Sequence, residues 1–183
     1  MCINEEGEGA VSTDTRQLFE LQLLTGDAAG LIKRFMPNLM WSAYRLSIKK
    51  QFDSGRLSQE ETVLVNRGLS SLEYLYDELR KEVERLLPLF NREELSELRN
   101  SCMTRVRFSR CYRIRTPPEN SVCRCFQLFD RIILIYSFFW INGLYPELNP
   151  GECGRRWHNR FINTCAQICA ARRKLESYAD AGS

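Results

Sequence analysis

The chain has few of the residues and motifs on which enzymes commonly depend. His158 is the single histidine among 183 residues, and its arginine-rich surroundings indicate a surface position. No phosphate-binding glycine-rich loop, Gly-x-Ser-x-Gly or His-Glu-x-x-His motif occurs. The acidic pairs at residues 60–61 and 93–94 stand at predicted helix starts, where they complement the helix dipole. The sequence therefore predicts a protein that is not an enzyme and has no cofactor.

Metal-binding spacings and long apolar runs are also missing. None of the eight cysteines forms a Cys-x-x-Cys pair, so we expect no metal site and mostly buried, apolar thiols. The most apolar run, residues 132–141, is about half as long as a membrane-spanning helix needs to be. We therefore expect a core helix and no membrane span. The N-terminus is acidic and polar, unlike a signal peptide, which predicts a cytoplasmic protein.

Positive charge is unevenly distributed along the chain. The net charge is only +3, from 26 Lys and Arg against 23 Asp and Glu. Residues 1–30 carry six acidic residues and one arginine, whereas residues 101–131 carry seven arginines and two acidic residues. Such a basic segment favours a polyanionic partner.

The segment from Arg105 to Arg115 alternates with the period of a β-strand. One face would carry Arg105, Arg107, Ser109, Cys111, Arg113 and Arg115, and the other Val106, Phe108, Arg110, Tyr112 and Ile114. No second strand is recognisable in the sequence. Because a solitary strand cannot satisfy its backbone groups, we predict that it pairs with the same segment of a second subunit. Such a ribbon fits the major groove of DNA, although a solvated edge strand is the alternative.

Helical patterns occupy the rest of the first half. Residues 1–12 form a predicted disordered acidic tail, and residues 13–100 a helical region. A first helix is predicted from Thr13-Asp14 to Gly26, and a second follows Asp27, is broken or kinked at Pro37 and continues to Phe52. A capping box at residues 58–61 opens a helix that ends before Pro88. Its apolar seam over residues 65–86 packs either against the helix over residues 41–52 or in a coiled-coil dimer.

The second half, residues 101–178, reads strand, helix, loop, helix. Its central helix has an apolar face that includes Val122, Phe126 and Phe129, and the last helix is predicted from Gly154 to Tyr178. No internal repeat is recognisable. This order is that of a ribbon–helix–helix module, in which the N-terminus of the second helix can offer amides to a DNA phosphate. The predicted fold is a mainly α helical bundle with one basic β-strand and a ribbon–helix–helix-like C-terminal half.

Motifs spread over residues 15–161 resemble a known family of small proteins. They are Thr15-Arg16-x-Leu18-Phe19, Phe129-Asp130-x-Ile132, Gly143-Leu144, and Gly154-Arg155 with Arg160-Phe161. The family is encoded by integrating conjugative elements and conjugative plasmids, and it includes an activator of conjugative transfer genes. The chain departs from the family's motifs at residues 117–120 and 137–140. The resemblance implies a DNA-binding regulator linked to conjugation.

These observations together predict a homodimeric regulator of transcription that binds double-stranded DNA. The predicted contacts are Arg105, Arg107, Ser109, Arg113 and Arg115 on the strand, with Arg155, Arg156 and Arg160 on the last helix. The alternative is a helical interaction or accessory protein of a conjugative element that does not bind DNA. RNA binding is disfavoured, because no aromatic platform accompanies the arginines. The N-terminal helices could contact a second protein.

Overall fold

The protein is mainly helical, with one two-stranded antiparallel sheet. The computed structural model describes residues 17–102 and 106–181. Within these ranges the elements are β1 (Gln17–Leu23), α1 (Gly26–Phe52), α2 (Gln59–Phe90), α3 (Ser96–Cys102), β2 (Phe108–Ile114), α4 (Pro117–Ile141) and α5 (Pro150–Ala181). Short 3-10 turns cover Glu93–Leu95 and Pro146–Leu148. In the described part of the chain, no helix is long and apolar enough to cross a membrane. The predicted tail at residues 1–12 lies outside the described residues.

The helix predicted from Thr13-Asp14 to Gly26 is wrong over its described part. Residues 17–23 form β1, in which Leu21 and Leu23 are fully buried while Glu20 and Gln22 are exposed. This alternation has the period of two that a strand requires. Leu18 suits the helical spacing with Leu21, but in the strand it lies on the opposite face from Leu21 and is exposed. Thr13 and Asp14 lie outside the described residues.

The expectation that the basic strand has no partner strand in its own chain is also wrong. β2 pairs with β1 of the same chain, in an antiparallel register that runs from Gln17 opposite Ile114 to Leu23 opposite Phe108. The ladder continues one step further, where the Arg107 amide donates to the Leu23 carbonyl at 2.8 Å. One chain therefore supplies both strands of the ribbon, so strand pairing between subunits is not needed.

The elements repeat along the chain although the residues do not. The order β1–α1–α2 is followed, after α3, by β2–α4–α5. The starts of matching elements are each 91 residues apart: Gln17 and Phe108, Gly26 and Pro117, Gln59 and Pro150. Thr25 and Thr116, which are the N-caps of α1 and α4, have the same separation. The structure therefore contains a repeat of elements that is not recognisable in the sequence.

Two prolines lie within helices that we expected them to interrupt. α1 continues through Pro37, and α2 continues past Pro88 to Phe90. Both proline side chains are exposed, so water can solvate the carbonyl that each proline leaves without its helical donor. The predicted capping box is confirmed, since the Ser58 hydroxyl and the Glu61 carboxylate each accept a hydrogen bond from the other's backbone amide.

The apolar seam of α2 is buried within the chain. Leu72, Leu79 and Leu86 are 2% exposed or less. α2 contacts α5 and α4 more extensively than α1, so the predicted intrachain packing is confirmed, whereas α1 is not its main partner. The predicted core helix is confirmed as α4, whose Val122, Phe126 and Phe129 are fully buried.

A buried carboxylate joins the ribbon to this core. Asp130 of α4 is 5% exposed, and its Oδ2 accepts from the Leu24 amide at 2.9 Å. Its Oδ1 accepts from the Thr25 amide at 2.8 Å and from the Thr25 hydroxyl at 2.6 Å. The same hydroxyl caps α1 by accepting from the Ala28 amide. One side chain of the second half thus determines where β1 ends and α1 begins.

Replacing Asp130 with asparagine tests this connection. The amide nitrogen of Asp130→Asn would face donors in place of one carboxylate oxygen, so we expect a loss of about 2–3 kcal/mol in the free energy of unfolding. Urea denaturation monitored by circular dichroism measures it. Asp77→Asn, at an exposed ion pair with Arg80, should change stability by less than about 0.5 kcal/mol. Equal effects at both positions would contradict the role of Asp130.

A second polar cluster joins α2, α4 and α5. The Glu82 carboxylate accepts from Arg85 at 2.9 Å, from the Trp157 indole at 3.2 Å and from the Tyr136 hydroxyl. Burial alone would raise the pKa of Glu82, but the hydrogen bonds from Arg85, Tyr136 and Trp157 lower it below its ordinary value of 4.5. A carboxyl group with a lowered pKa stabilises the folded state above its unfolded pKa, and this contribution is lost as the pH falls through the folded pKa.

Glu82→Gln should therefore destabilise the protein at neutral pH and much less in acid. We expect a loss of about 1–3 kcal/mol at pH 7, because charge-assisted hydrogen bonds are removed. The difference from the wild type should shrink as the pH falls below about 4.5. Urea denaturation at several pH values measures it, with the exposed Glu84→Gln as the control. A difference that does not depend on pH would refute the ionic role of Glu82.

Candidate nucleic-acid interface

The ribbon has one face toward the helices and one toward solvent. Ile114 of β2 is buried and Phe108 and Tyr112 are half-buried. Ser109, Cys111 and Arg113 alternate with them and are exposed. The predicted alternation is therefore confirmed at these six positions, whereas Val106 and Arg110 of the predicted apolar face are exposed.

The outer face combines residues of both strands. In the register of the ribbon, Arg113 lies opposite Leu18, Cys111 opposite Glu20 and Ser109 opposite Gln22, and all six side chains are exposed. We missed the three residues of β1, because their segment was interpreted as a helix. The outer face offers hydrogen-bonding groups of arginine, serine and glutamine, together with one carboxylate, and it is thus less cationic than β2 alone.

Arg107 and Arg113 are the predicted strand arginines that remain available to a ligand. Both are exposed, and neither forms an ion pair with any residue in the described ranges. Arg107 lies at the end of the ribbon where its amide contacts Leu23, and Arg113 lies near the opposite end. Arg105 lies outside the described residues.

Arg115 has a structural role that its position in the alternation did not reveal. Its Nη2 lies 2.6 Å from Oε1 of the fully buried Glu119, and its guanidinium carbon lies 3.9 Å from the ring centre of Tyr44. Glu119 also accepts hydrogen bonds from the Arg115 amide and from the amide and hydroxyl of Thr116. Arg115 thus neutralises a buried carboxylate at the junction of β2 and α4.

The arginines of the last helix lie elsewhere than predicted. α5 begins at Pro150, so Arg155 and Arg156 lie in its second turn and not at its N-terminus. The Asn149 carbonyl accepts from the amides of Glu152 and Cys153 at this end of the helix. The prediction that Gly154 opens the helix and presents its amides to a phosphate is therefore wrong.

Arg155 and Arg156 are nevertheless exposed cations. Within the described ranges neither has an acidic partner. Arg155 lines a cavity of about 450 Å³ that Asp27, in the first turn of α1, also lines. The second turn of α5 and the first turn of α1 therefore border the same cavity.

Arg160 is engaged in contacts between two helices. Its Nη2 lies 3.1 Å from Oε2 of Glu78 on α2, and its guanidinium group lies over the rings of Tyr74 and Trp157. These contacts connect α5 to α2. A phosphate contact predicted from the basic sequence around Arg160 would have to compete with them.

Two further cations line a groove between α1 and β2. Lys33 and Arg110 border a cavity of about 430 Å³ together with Met36 and Tyr112. Arg110 is the one charged residue on the face of the strand that is otherwise apolar. The charge of Arg110 could have identified this position in the sequence, because a charged residue among apolar residues indicates a strand edge that water can reach.

Three of the six free cysteines that the structure describes are buried in the core. Cys123, Cys125 and Cys165 are fully buried. Burial raises the pKa of Cys123 to about 12, and it also raises the pKa values of Cys125 and Cys165. These groups are thus protonated at neutral pH. Among the described residues, no group of three potential metal ligands occurs.

Comparison with known proteins gives a similarity of fold. No family model matches the sequence, and no curated protein matches it significantly. The structure is similar to the crystal structure of selenomethionine-containing AcaB from uropathogenic E. coli, with a TM-score of 0.65. The two chains are 16% identical, and the match covers 92% of this chain and 86% of that chain. At this identity the match shows a shared fold alone.

Arg113 and Arg115 have different surroundings, so we predict that replacing them changes the stability by unequal amounts. Arg115→Ala would leave the buried Glu119 carboxylate without its cation, so we expect a loss of about 1–3 kcal/mol in the free energy of unfolding. Arg113→Ala removes an exposed side chain and should change that free energy by less than about 0.5 kcal/mol. Urea denaturation of both variants measures the contrast. A larger loss for Arg113→Ala would overturn the assignment of roles.

Proposed function

We propose that the protein is a DNA-binding regulator that reads double-stranded DNA with the outer face of its β1–β2 ribbon. The observation that carries this proposal is a two-stranded ribbon with exposed hydrogen-bonding side chains and two arginines, Arg107 and Arg113, that form no ion pair with any described residue. The ribbon is fixed to a helical core by Asp130. Sites on such rigid elements position their side chains more accurately than sites on loops.

The chemistry of the outer face suits the major groove. A two-stranded β-ribbon fits into this groove, where arginine contacts guanine and glutamine contacts adenine through paired hydrogen bonds. Arg113 and Gln22 lie on the same face, on different strands. Arg155 and Arg156 would add contacts to phosphates beside the groove, since both are exposed and neither has an acidic partner among the described residues. Such contacts position a protein on DNA without reading sequence.

The repeat of elements supports a ribbon–helix–helix-like arrangement. In a ribbon–helix–helix dimer, two subunits each contribute one strand and two helices to a shared core. Here the units β1–α1–α2 and β2–α4–α5 share one ribbon within a single chain. Since β1 already pairs with β2, self-association of the protein need not involve the 104–116 strand. Homodimerisation stays a prediction.

The link to conjugative transfer rests on the resemblance of the sequence motifs. Two of the residues that carry the resemblance have structural roles in this chain. Asp130 holds the turn between β1 and α1, and Gly143 has a φ angle of +63° just after α4, a conformation that favours glycine. These two residues of the resemblance therefore maintain the architecture. The resemblance as a whole supports the proposal that the protein regulates transfer genes of a mobile element.

The alternative is an accessory protein that binds another protein through the same helices or ribbon. The exposed Leu18 and Glu20 on the outer face favour it, since a carboxylate disfavours approach to the DNA backbone.

Neutralising pairs of arginines separates base reading from phosphate contact. Binding to DNA from the genomic neighbourhood of the gene is measured by fluorescence anisotropy over a range of salt concentrations. Arg107→Ala and Arg113→Ala should each cost about 1–3 kcal/mol and reduce the preference for the site over competitor DNA. The double variant Arg155→Ala/Arg156→Ala should weaken binding to all sequences and flatten the salt dependence by about one unit per lost contact.

A variant with the same loss of charge controls for long-range electrostatics. Arg80→Ala/Lys81→Ala removes two exposed cations of α2 that already face Asp77 and Glu78. It should leave DNA affinity nearly unchanged. If both arginine pairs can be removed with DNA binding intact, or if the wild type binds no DNA, the accessory-protein alternative is favoured.

A further inference from the structure

The two strands of the ribbon are equivalent in position and different in chemistry. The separation of 91 residues relates position 18 to 109, 20 to 111 and 22 to 113. The antiparallel register places Glu20 opposite Cys111, at the centre of both seven-residue strands. An approximate two-fold axis therefore passes between these two residues, and it exchanges β1 with β2.

Residues related by this axis would face equivalent base pairs on opposite sides of the centre of a DNA site. A ribbon made by two identical chains presents the same side chains on both sides, and its site is accordingly a palindrome. In this chain the axis exchanges Leu18 with Ser109 and Gln22 with Arg113. All four side chains are exposed on the outer face. The two halves of the ribbon cannot prefer the same bases.

The chemistry of each end indicates what it prefers. Arg113 lies opposite Leu18, so one end of the ribbon combines a guanine-reading group with an apolar group that suits a thymine methyl. Gln22 lies opposite Ser109 at the other end, where glutamine suits adenine. The two ends of the ribbon should therefore prefer different bases, because their side chains differ in hydrogen-bonding groups and in polarity.

The second turns of the helices that follow the strands also differ. The first turn of each helix carries a carboxylate, Glu61 in α2 and Glu152 in α5. The second turn of α5 carries the exposed Arg155 and Arg156, whereas the equivalent positions of α2 are Leu64 and Val65. Phosphates beside the site would therefore meet two cations on α5 that these positions of α2 do not offer.

We infer that one chain reads a non-palindromic DNA site, with β1 and β2 contacting different bases on the two sides of its centre. This inference rests on the proposed function. It adds the symmetry of the DNA partner and a stoichiometry of one chain per site.

Selection from random DNA tests the inference. The wild-type chain is expected to select a non-palindromic sequence. Mass photometry with the selected duplex should give one chain per site. Replacing one half of that site by the inverted copy of the other half should reduce affinity about 5- to 100-fold, the range of one or two base contacts.

A pair of variants makes the ribbon symmetric. The parent Glu20→Ser/Cys111→Ser carries identical central residues and keeps both ends different. Adding Leu18→Ser and Gln22→Arg to this parent gives β1 the outer-face residues of β2. All the altered side chains are exposed, and circular dichroism verifies the fold. The symmetric variant should select a site closer to a palindrome than its parent does, and it should bind the two halves in either orientation within about 2-fold.

The outcomes distinguish the inference from the function on which it rests. A palindromic site for the wild type, or two chains on one minimal site, overturns the inference and leaves DNA binding intact. An unchanged, non-palindromic preference of the symmetric variant also overturns it, because reading would then not depend on these strand positions. Failure of the wild type to select any DNA overturns the proposed function itself.

Discussion

The position of the ribbon depends on the hydrogen bonds of one buried carboxylate. Asp130 accepts three hydrogen bonds from Leu24 and Thr25, and the cost of burying its charge is offset by these donors. A two-stranded ribbon alone is only marginally stable in water. By joining the turn after β1 to the core helix α4, Asp130 converts this ribbon into a rigid part of the fold. The inner strand residues Leu21 and Leu23 then pack beneath it with no exposed surface.

The two ends of the ribbon are secured by different means. After β1, the N-cap Thr25 is held by a carboxylate from another helix. After β2, Thr116 and Arg115 are held by Glu119, which belongs to the same helix that Thr116 caps. The backbone arrangement is thus repeated while its side-chain support is not. Two halves with nearly equal element lengths and unequal residues form a scaffold that is similar in shape and different in chemistry. This difference is the basis of the inferred non-palindromic site.

The residues that support the architecture and those that would select a partner lie in different places. Asp130, Gly143 and Arg115 serve junctions of the helices and strands, whereas Gln22, Ser109 and Arg113 lie on the exposed outer face. The exposed positions can change without affecting the core.

The sequence by itself determined the features that depend on local chemistry. Residues close together in the chain predict the alternation of β2, the apolar face of α4 and the capping box of Ser58. Only the tertiary structure decided the rest. Residues 17–23 fit a helix by the spacing of Leu18 and Leu21 and a strand by that of Leu21 and Leu23. The choice depends on β2, about 90 residues away. Strand pairing is a non-local interaction, so a pattern within one segment cannot show whether its partner lies in the same chain. For the same reason Arg115 and Arg160, which look like free cations in the sequence, are engaged by Glu119 and Glu78.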